Sequence, residues 1–133
     1  MTRPLALLLL CVGAPALAAG QFDLACQGTQ VVKEGGPPEA TAFRVRVDLA
    51  GKLWCMDKCE RALDIDDVTP DKITFQDDGV LNTRQEITRE ASLDRKSGKF
   101  HRFIFEIRPQ TNYLKVEATC SEQPFTPFPS AKP

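Results

Sequence analysis

The sequence predicts an all-β fold, an antiparallel meander of seven or eight strands that closes into a small barrel or folds into a sandwich. Three observations predict it. Apolar and polar residues alternate strictly in several short stretches, turn residues separate these stretches, and no stretch has a sustained helical period. A chain of 133 residues is the size of a single domain.

The N-terminal residues 1–19 have the three parts of a secretory signal peptide. Arg3 supplies the positive charge, residues 5–12 form an apolar run, and residues 16–18, Ala-Leu-Ala, form a cleavage pattern. The run is far shorter than the roughly 20 residues of a membrane span. Acylation of Cys11 is disfavoured because Leu10, not a small residue, precedes it. We therefore expect a periplasmic or secreted protein without a membrane span.

The predicted strands begin with FDLACQGTQVV, which the Gly- and Pro-rich loop KEGGPPEA separates from FRVRVDL. The second strand alternates strictly and places four apolar residues on one face: Phe43, Val45, Val47 and Leu49. The turn Ala-Gly-Lys leads into LWCMDKC, and the helix formers of CERAL predict a short helical turn near Cys59. DIDDV and KITFQ are two further strands, joined across Thr-Pro-Asp, and Asp-Asp-Gly at residues 77–79 is a predicted turn.

The strongest predicted hairpin joins EITREASLD to KFHRFIFEI through RKSG. Its first strand has one face made of Ile87, Arg89, Ala91 and Leu93. In its second strand the more apolar face consists of His101, Phe103, Phe105 and Ile107, although Phe100 and Ile104 on the other face suggest partial cover on both sides. YLKVEATC is the last strand, so the domain spans residues 20–120. The Pro-rich residues 121–133 are predicted to be a free tail, with docking of its two phenylalanines on the domain as the alternative.

Removal of the signal peptide leaves four cysteines, and an oxidising compartment favours disulfides between them. Three pairings are possible, of which the simplest joins Cys26 to Cys120 and Cys55 to Cys59. Two alternatives remain for the second pair. It could exchange thiols, although three residues separate its cysteines instead of two, or it could bind a metal together with His101 and Asp57.

Composition argues against several classes of function. The chain is mildly acidic, with 17 basic and 18 acidic residues, and its arginines are interleaved with carboxylates, so no nucleic-acid surface is predicted. No serine lies in a Gly-x-Ser-x-Gly motif, and one histidine is a poor basis for hydrolytic chemistry. The acidic pairs at residues 66–67 and 77–78 are interpreted as solvated turn residues. We expect no catalytic residues, no cofactor and no metal.

Four aromatic residues are the candidate binding residues: Trp54, Phe103, Phe105 and Tyr113. Trp54 is best explained as a core residue packed near a disulfide. The alternative interpretation is that Trp54 lies on a recognition surface, or that it lines the mouth of the barrel together with the other three residues.

The segments FDLACQGT, RVDLAGKLWCMDKC, VTPDKITF and ASLDRKSGKF resemble small exported proteobacterial proteins of unknown function. This resemblance implies a periplasmic β-rich domain and no catalytic role. In architecture the chain is also similar to periplasmic lysozyme inhibitors, although it lacks a recognisable inhibitory loop. The preferred hypothesis is a non-enzymatic periplasmic binding module for an envelope protein or a small apolar ligand. The alternative is a thiol-dependent or metal-handling role of Cys55 and Cys59.

Overall fold

A computed structural model describes residues 20–77, 87–107 and 111–129, and the predicted signal peptide lies outside them. Eight antiparallel strands form a closed barrel in which each strand pairs with the next in sequence and the last pairs with the first. The described residues contain no helix. The predicted all-β meander is confirmed, and the choice between barrel and sandwich is decided in favour of the barrel.

The strands follow the alternating stretches of the sequence closely. Their bounds are β1 (Gln21–Val31), β2 (Glu39–Asp48), β3 (Leu53–Met56), β4 (Leu63–Val68), β5 (Lys72–Phe75), β6 (Ile87–Asp94), β7 (Lys99–Glu106) and β8 (Asn112–Gln123). We call the end of the barrel where β1 and β7 begin and β8 ends the upper end, and the opposite one the lower end.

The barrel closes where β1 pairs with β8. Cys26 lies opposite Cys120, and a disulfide joins them with their Cα atoms 4.0 Å apart. Two residues further along, Gly28 lies opposite Ala118, and a Cβ atom at Gly28 would come within 2.0 Å of the Glu117 carbonyl oxygen. The close approach of the two strands therefore requires glycine at this position.

The barrel interior is filled by side chains from all eight strands. Its aromatic residues contact one another: the ring centroids of Trp54 and Phe75 are 4.7 Å apart, and those of Phe43 and Phe100 are 5.2 Å apart. The other buried members of this core are Phe22, Leu24, Cys26, Val45, Val47, Ile65, Ile73, Ala91, Leu93 and Ala118. An eight-stranded barrel is just wide enough for such packing, and the upper half of this one has a solid core.

The more apolar face of β7 points outward and not into the core. Phe100 is fully buried, so the interior face of β7 carries Phe100, Arg102, Ile104 and Glu106. His101, Phe103 and Phe105 alternate with these residues and point outward. Two of the four interior residues, Arg102 and Glu106, are charged because they pair with other charged residues at the lower end of the barrel. Alternation of hydrophobicity in the sequence does not reveal such pairs.

Two expectations fail. No helical turn forms at CERAL, because Cys59 bonds back to Cys55 and has a φ of 54°, outside the right-handed helical region. The tail after Cys120 is not free over the residues described. β8 continues to Gln123, and Thr126 hydrogen-bonds to Asp23 of β1.

The two disulfides should differ in their contribution to stability. Replacing Cys26 and Cys120 by alanine opens a connection over 94 residues, whereas Cys55 and Cys59 are 4 residues apart. Loop-closure entropy predicts a loss of about 4 to 5 kcal/mol for the first pair and about 2 kcal/mol for the second. Denaturant unfolding of the two double variants measures this difference. Equal losses of unfolding free energy would contradict the conclusion that the Cys26–Cys120 disulfide stabilises the closure of β1 against β8.

Candidate functional site

The structure separates the four predicted binding residues. Trp54 is 1 % exposed, and its indole Nε1 donates a hydrogen bond to the Gln76 carbonyl oxygen at 2.9 Å. It is a core residue, so it does not share a surface or a barrel mouth with the other three. Phe103, Phe105 and Tyr113 lie together on the outside of the barrel.

We call these three residues the aromatic face. Tyr113 lies directly opposite Phe105 in the pairing of β7 with β8. Its ring meets that of Phe103 edge to face at a centroid distance of 5.6 Å, and that of Phe105 at 6.4 Å. Such contacts hold aromatic rings in a defined arrangement. All three side chains remain half-buried, and Ile107, just beyond β7, is 41 % exposed.

Polar residues surround the aromatic face. In the strand register, Glu90 of β6 and Lys115 of β8 lie on either side of Phe103, and Thr88 of β6 lies beside Phe105. Towards the upper end, His101 Nδ1 and Glu117 Oε1 are 2.8 Å apart. An aromatic centre with a polar rim is the composition typical of protein–protein interfaces.

The lower end of the barrel contains two partly buried ion pairs. Arg102 binds Asp77 through two hydrogen bonds, of 2.7 and 3.0 Å, and the Asp77 side chain is 1 % exposed. Arg89 pairs with Glu106. The prediction that Asp77 is a solvated turn residue was therefore wrong, whereas Asp78 lies outside the described residues.

Glu106 has a second partner in this end. The Asn112 side-chain amide donates to it at 2.9 Å. This hydrogen bond, together with that from Arg89, holds the pKa of Glu106 below its ordinary value of 4.5. Glu106 and Asp77 thus pair with the partly buried Arg89 and Arg102 at this end of the barrel.

A depression of about 870 Å³ lies at the upper end, with Phe22, Leu24 and Leu93 at its floor. Most charged groups on its rim have partners. Arg95 donates to the Thr69 carbonyl oxygen at 2.8 Å, and Lys96 pairs with Asp71. Asp94 accepts hydrogen bonds from the turn that follows it, which lower its pKa. The volume suits a small ligand, but most charged groups on the rim already have partners within the protein.

The disulfide between Cys55 and Cys59 is buried, although Cys55 lies on the outer face of β3, opposite Arg46 and not in the barrel core. Cys55 is 1 % and Cys59 4 % exposed, so an attacking thiolate has little access to either residue. His101 belongs to the outer surface of β7, away from this pair. Within the described ranges, no group of three or more His, Cys, Asp or Glu side chains is arranged to hold a metal ion. Burial of the pair weighs against thiol exchange and metal handling.

No helix in the part of the chain that the structure describes has the length and apolar character needed to cross a membrane.

Sequence reasoning missed the partly buried ion pairs, although one signal was available. Arg89 alternates with Ala91 and Leu93, two residues of the buried core. An arginine on an inward face needs a carboxylate partner, and this requirement could have directed attention to Glu106. Nothing in the sequence indicated that Asp23 is buried beneath the C-terminal segment.

The aromatic residues should separate into core and surface by their effect on stability. Trp54→Ala removes a buried ring and a satisfied hydrogen bond, for an expected loss of about 3 to 5 kcal/mol. Phe103→Ala removes one edge-to-face contact on the surface, for an expected loss of about 1 kcal/mol. Denaturant unfolding measures both. Similar losses at the two positions would contradict the assignment of Phe103 to the surface.

Glu106 should make stability depend on pH. A carboxyl group with a lowered pKa in the folded state stabilises the protein above its unfolded pKa, near 4.5, and loses this contribution as the pH falls through its folded-state pKa. The difference in unfolding free energy between wild type and Glu106→Gln should be largest above pH 5 and shrink below pH 4.5, each pH being an approximate bound. Asn112→Ala should reduce this change. A difference that stays constant with pH would contradict the role assigned to Glu106.

No known family model matches the chain. No curated protein and no solved structure matches it either. The function is therefore inferred from the side chains and their contacts alone.

Proposed function

We propose that this protein is a non-enzymatic binding module of the periplasm that holds a partner protein of the envelope through its aromatic face. The observation that carries the proposal is the position of Phe103, Phe105 and Tyr113. They contact one another on the outside of a barrel whose upper half is already filled by its own core.

The aromatic face suits a protein partner better than a small ligand. It extends across the outer sides of two adjacent strands, β7 and β8, and so offers a broad contact surface. Rigid aromatic side chains give a large contact area at low cost in conformational entropy, and they are enriched where binding energy concentrates in interfaces. The complementary partner is expected to present apolar or aromatic side chains, with polar groups placed to meet Glu90 and Lys115.

Two further observations support an exported binding module. Both disulfides are compatible with an oxidising compartment such as the periplasm. Several charged groups of the described residues at the barrel ends, such as Asp77, Asp94 and Lys96, are engaged in pairs or turns, an arrangement that stabilises a scaffold. Enzymes, in contrast, keep reactive groups available to a substrate.

The proposal is tested by photo-crosslinking in cells that export the full chain. A photoreactive phenylalanine analogue at position 103 should give a discrete crosslinked partner. The same analogue at Asp66 should not, because Asp66 is exposed on β4, at the far side of the strand order from β8. Tyr113→Ala in the position-103 chain should reduce the crosslinked product by about tenfold.

Two results would contradict the proposal. One is the absence of a crosslinked partner at position 103 while the exported chain is folded. The other is the same set of products at positions 103 and 66, which would mark random encounters within the compartment.

A further inference from the structure

A second surface of the barrel is covered by the C-terminal segment of the same chain. Asp23 lies on the outer face of β1, where side chains normally meet solvent, yet it is 0 % exposed. Residues 124–129 leave the end of β8 and cover it. One Asp23 carboxylate oxygen accepts a hydrogen bond from the Thr126 backbone N–H at 3.0 Å, and the other accepts one from the Thr126 hydroxyl at 2.6 Å.

Two arginines of β2 complete this surface. Arg44 Nε lies 3.4 Å from the second carboxylate oxygen of Asp23 and balances its charge. Arg46, directly opposite Asp23 in the strand register, donates a hydrogen bond to the Pro127 carbonyl oxygen at 2.9 Å. The surface thus contacts an N–H, a hydroxyl and a carbonyl group within two consecutive residues of the covering segment.

The covering segment has a sequence suited to this contact. Pro127 restricts the preceding Thr126 to extended conformations, which lowers the entropy lost on docking. Phe125 and Phe128 pack edge to face at a centroid distance of 5.6 Å, and both are half-buried. The recognised element is therefore an extended Phe-Thr-Pro-Phe peptide.

Because the surface is polar, a free peptide can replace the covering segment on it. When the segment leaves, Asp23 becomes accessible to water, and Arg44, whose side chain is already 51 % exposed, can still balance its charge. A segment tethered to β8 has an effective concentration on the order of millimolar. It therefore competes with any free peptide of the same chemistry.

We propose that Asp23, Arg44 and Arg46 form a recognition site for an extended Thr-Pro segment of a partner protein. The chain's own residues 125–128 occupy this site and restrict access to it. The site lies on β1 and β2, and it does not depend on the aromatic face.

The test uses the full chain and a synthetic peptide of residues 121–129. Thr126→Val in the chain removes the hydroxyl and keeps the shape, so it weakens the tethered competitor without shortening the protein. NMR titration follows the backbone amide resonances of Asp23 and Arg46. The peptide should bind the Thr126→Val chain at least about tenfold more tightly than wild type, because a hydrogen bond to a charged group is lost from the competitor.

Two matched controls identify the contact. A peptide with valine in place of threonine should bind the Thr126→Val chain about tenfold more weakly than the threonine peptide. Asp23→Asn, added to the Thr126→Val chain, should weaken binding of the threonine peptide by a similar factor. A dispersed amide spectrum verifies that each variant is folded.

Any one of the following NMR results would overturn the proposal. These are unchanged Asp23 resonances in the Thr126→Val chain, no peptide binding to that chain, equal binding of the two peptides, and equal binding with and without Asp23→Asn. A wild-type dimer in sedimentation that Thr126→Val abolishes would also overturn it, since the segment of a second copy would then be the occupant.

Discussion

Closure of β1 against β8 is the constraint on which the other features of the barrel depend. The Cys26–Cys120 disulfide fixes this pair of strands, and Gly28 permits their backbones to approach where a larger residue would collide with β8. Closure pairs the two strands that would otherwise be edges. It also fixes the diameter of the barrel, so that Trp54, Phe75 and Phe100 fill its interior. Binding is therefore assigned to the outside of the barrel.

The polarity of the barrel interior changes along its axis. Aromatic and aliphatic side chains fill the upper half, whereas the described residues of the lower end include ion pairs of Arg102 with Asp77 and of Arg89 with Glu106. Charges in such a position require partners, because desolvation without compensation costs several kcal/mol per ion. Arg102 and Glu106 of these pairs share the inner face of β7 with Phe100 and Ile104, and strand alternation therefore places Phe103 and Phe105 on its outer face.

Much of the fold could be predicted from the sequence, since period-2 alternation and turn residues are local signals. They gave the strand order, the inward face of β2 and the simplest cysteine pairing, which the structure confirms. The candidate site could be predicted only in part. Phe103, Phe105 and Tyr113 were selected, but the inner face of β7 holds Arg102, whose partner Asp77 is 25 residues away in the sequence. Asp23 and Thr126 are 103 residues apart, and their contact has no local signal.

The most direct test of the central claim is the solvent accessibility of the aromatic rings in the full-length chain, measured as NMR relaxation enhancement by a soluble paramagnetic agent. The rings of Phe103, Phe105 and Tyr113 should be strongly broadened, while those of Trp54, Phe75 and Phe100 should be protected. Strong broadening of Trp54, or protection of all three outer rings, would contradict a filled barrel that binds its partner through its outer surface.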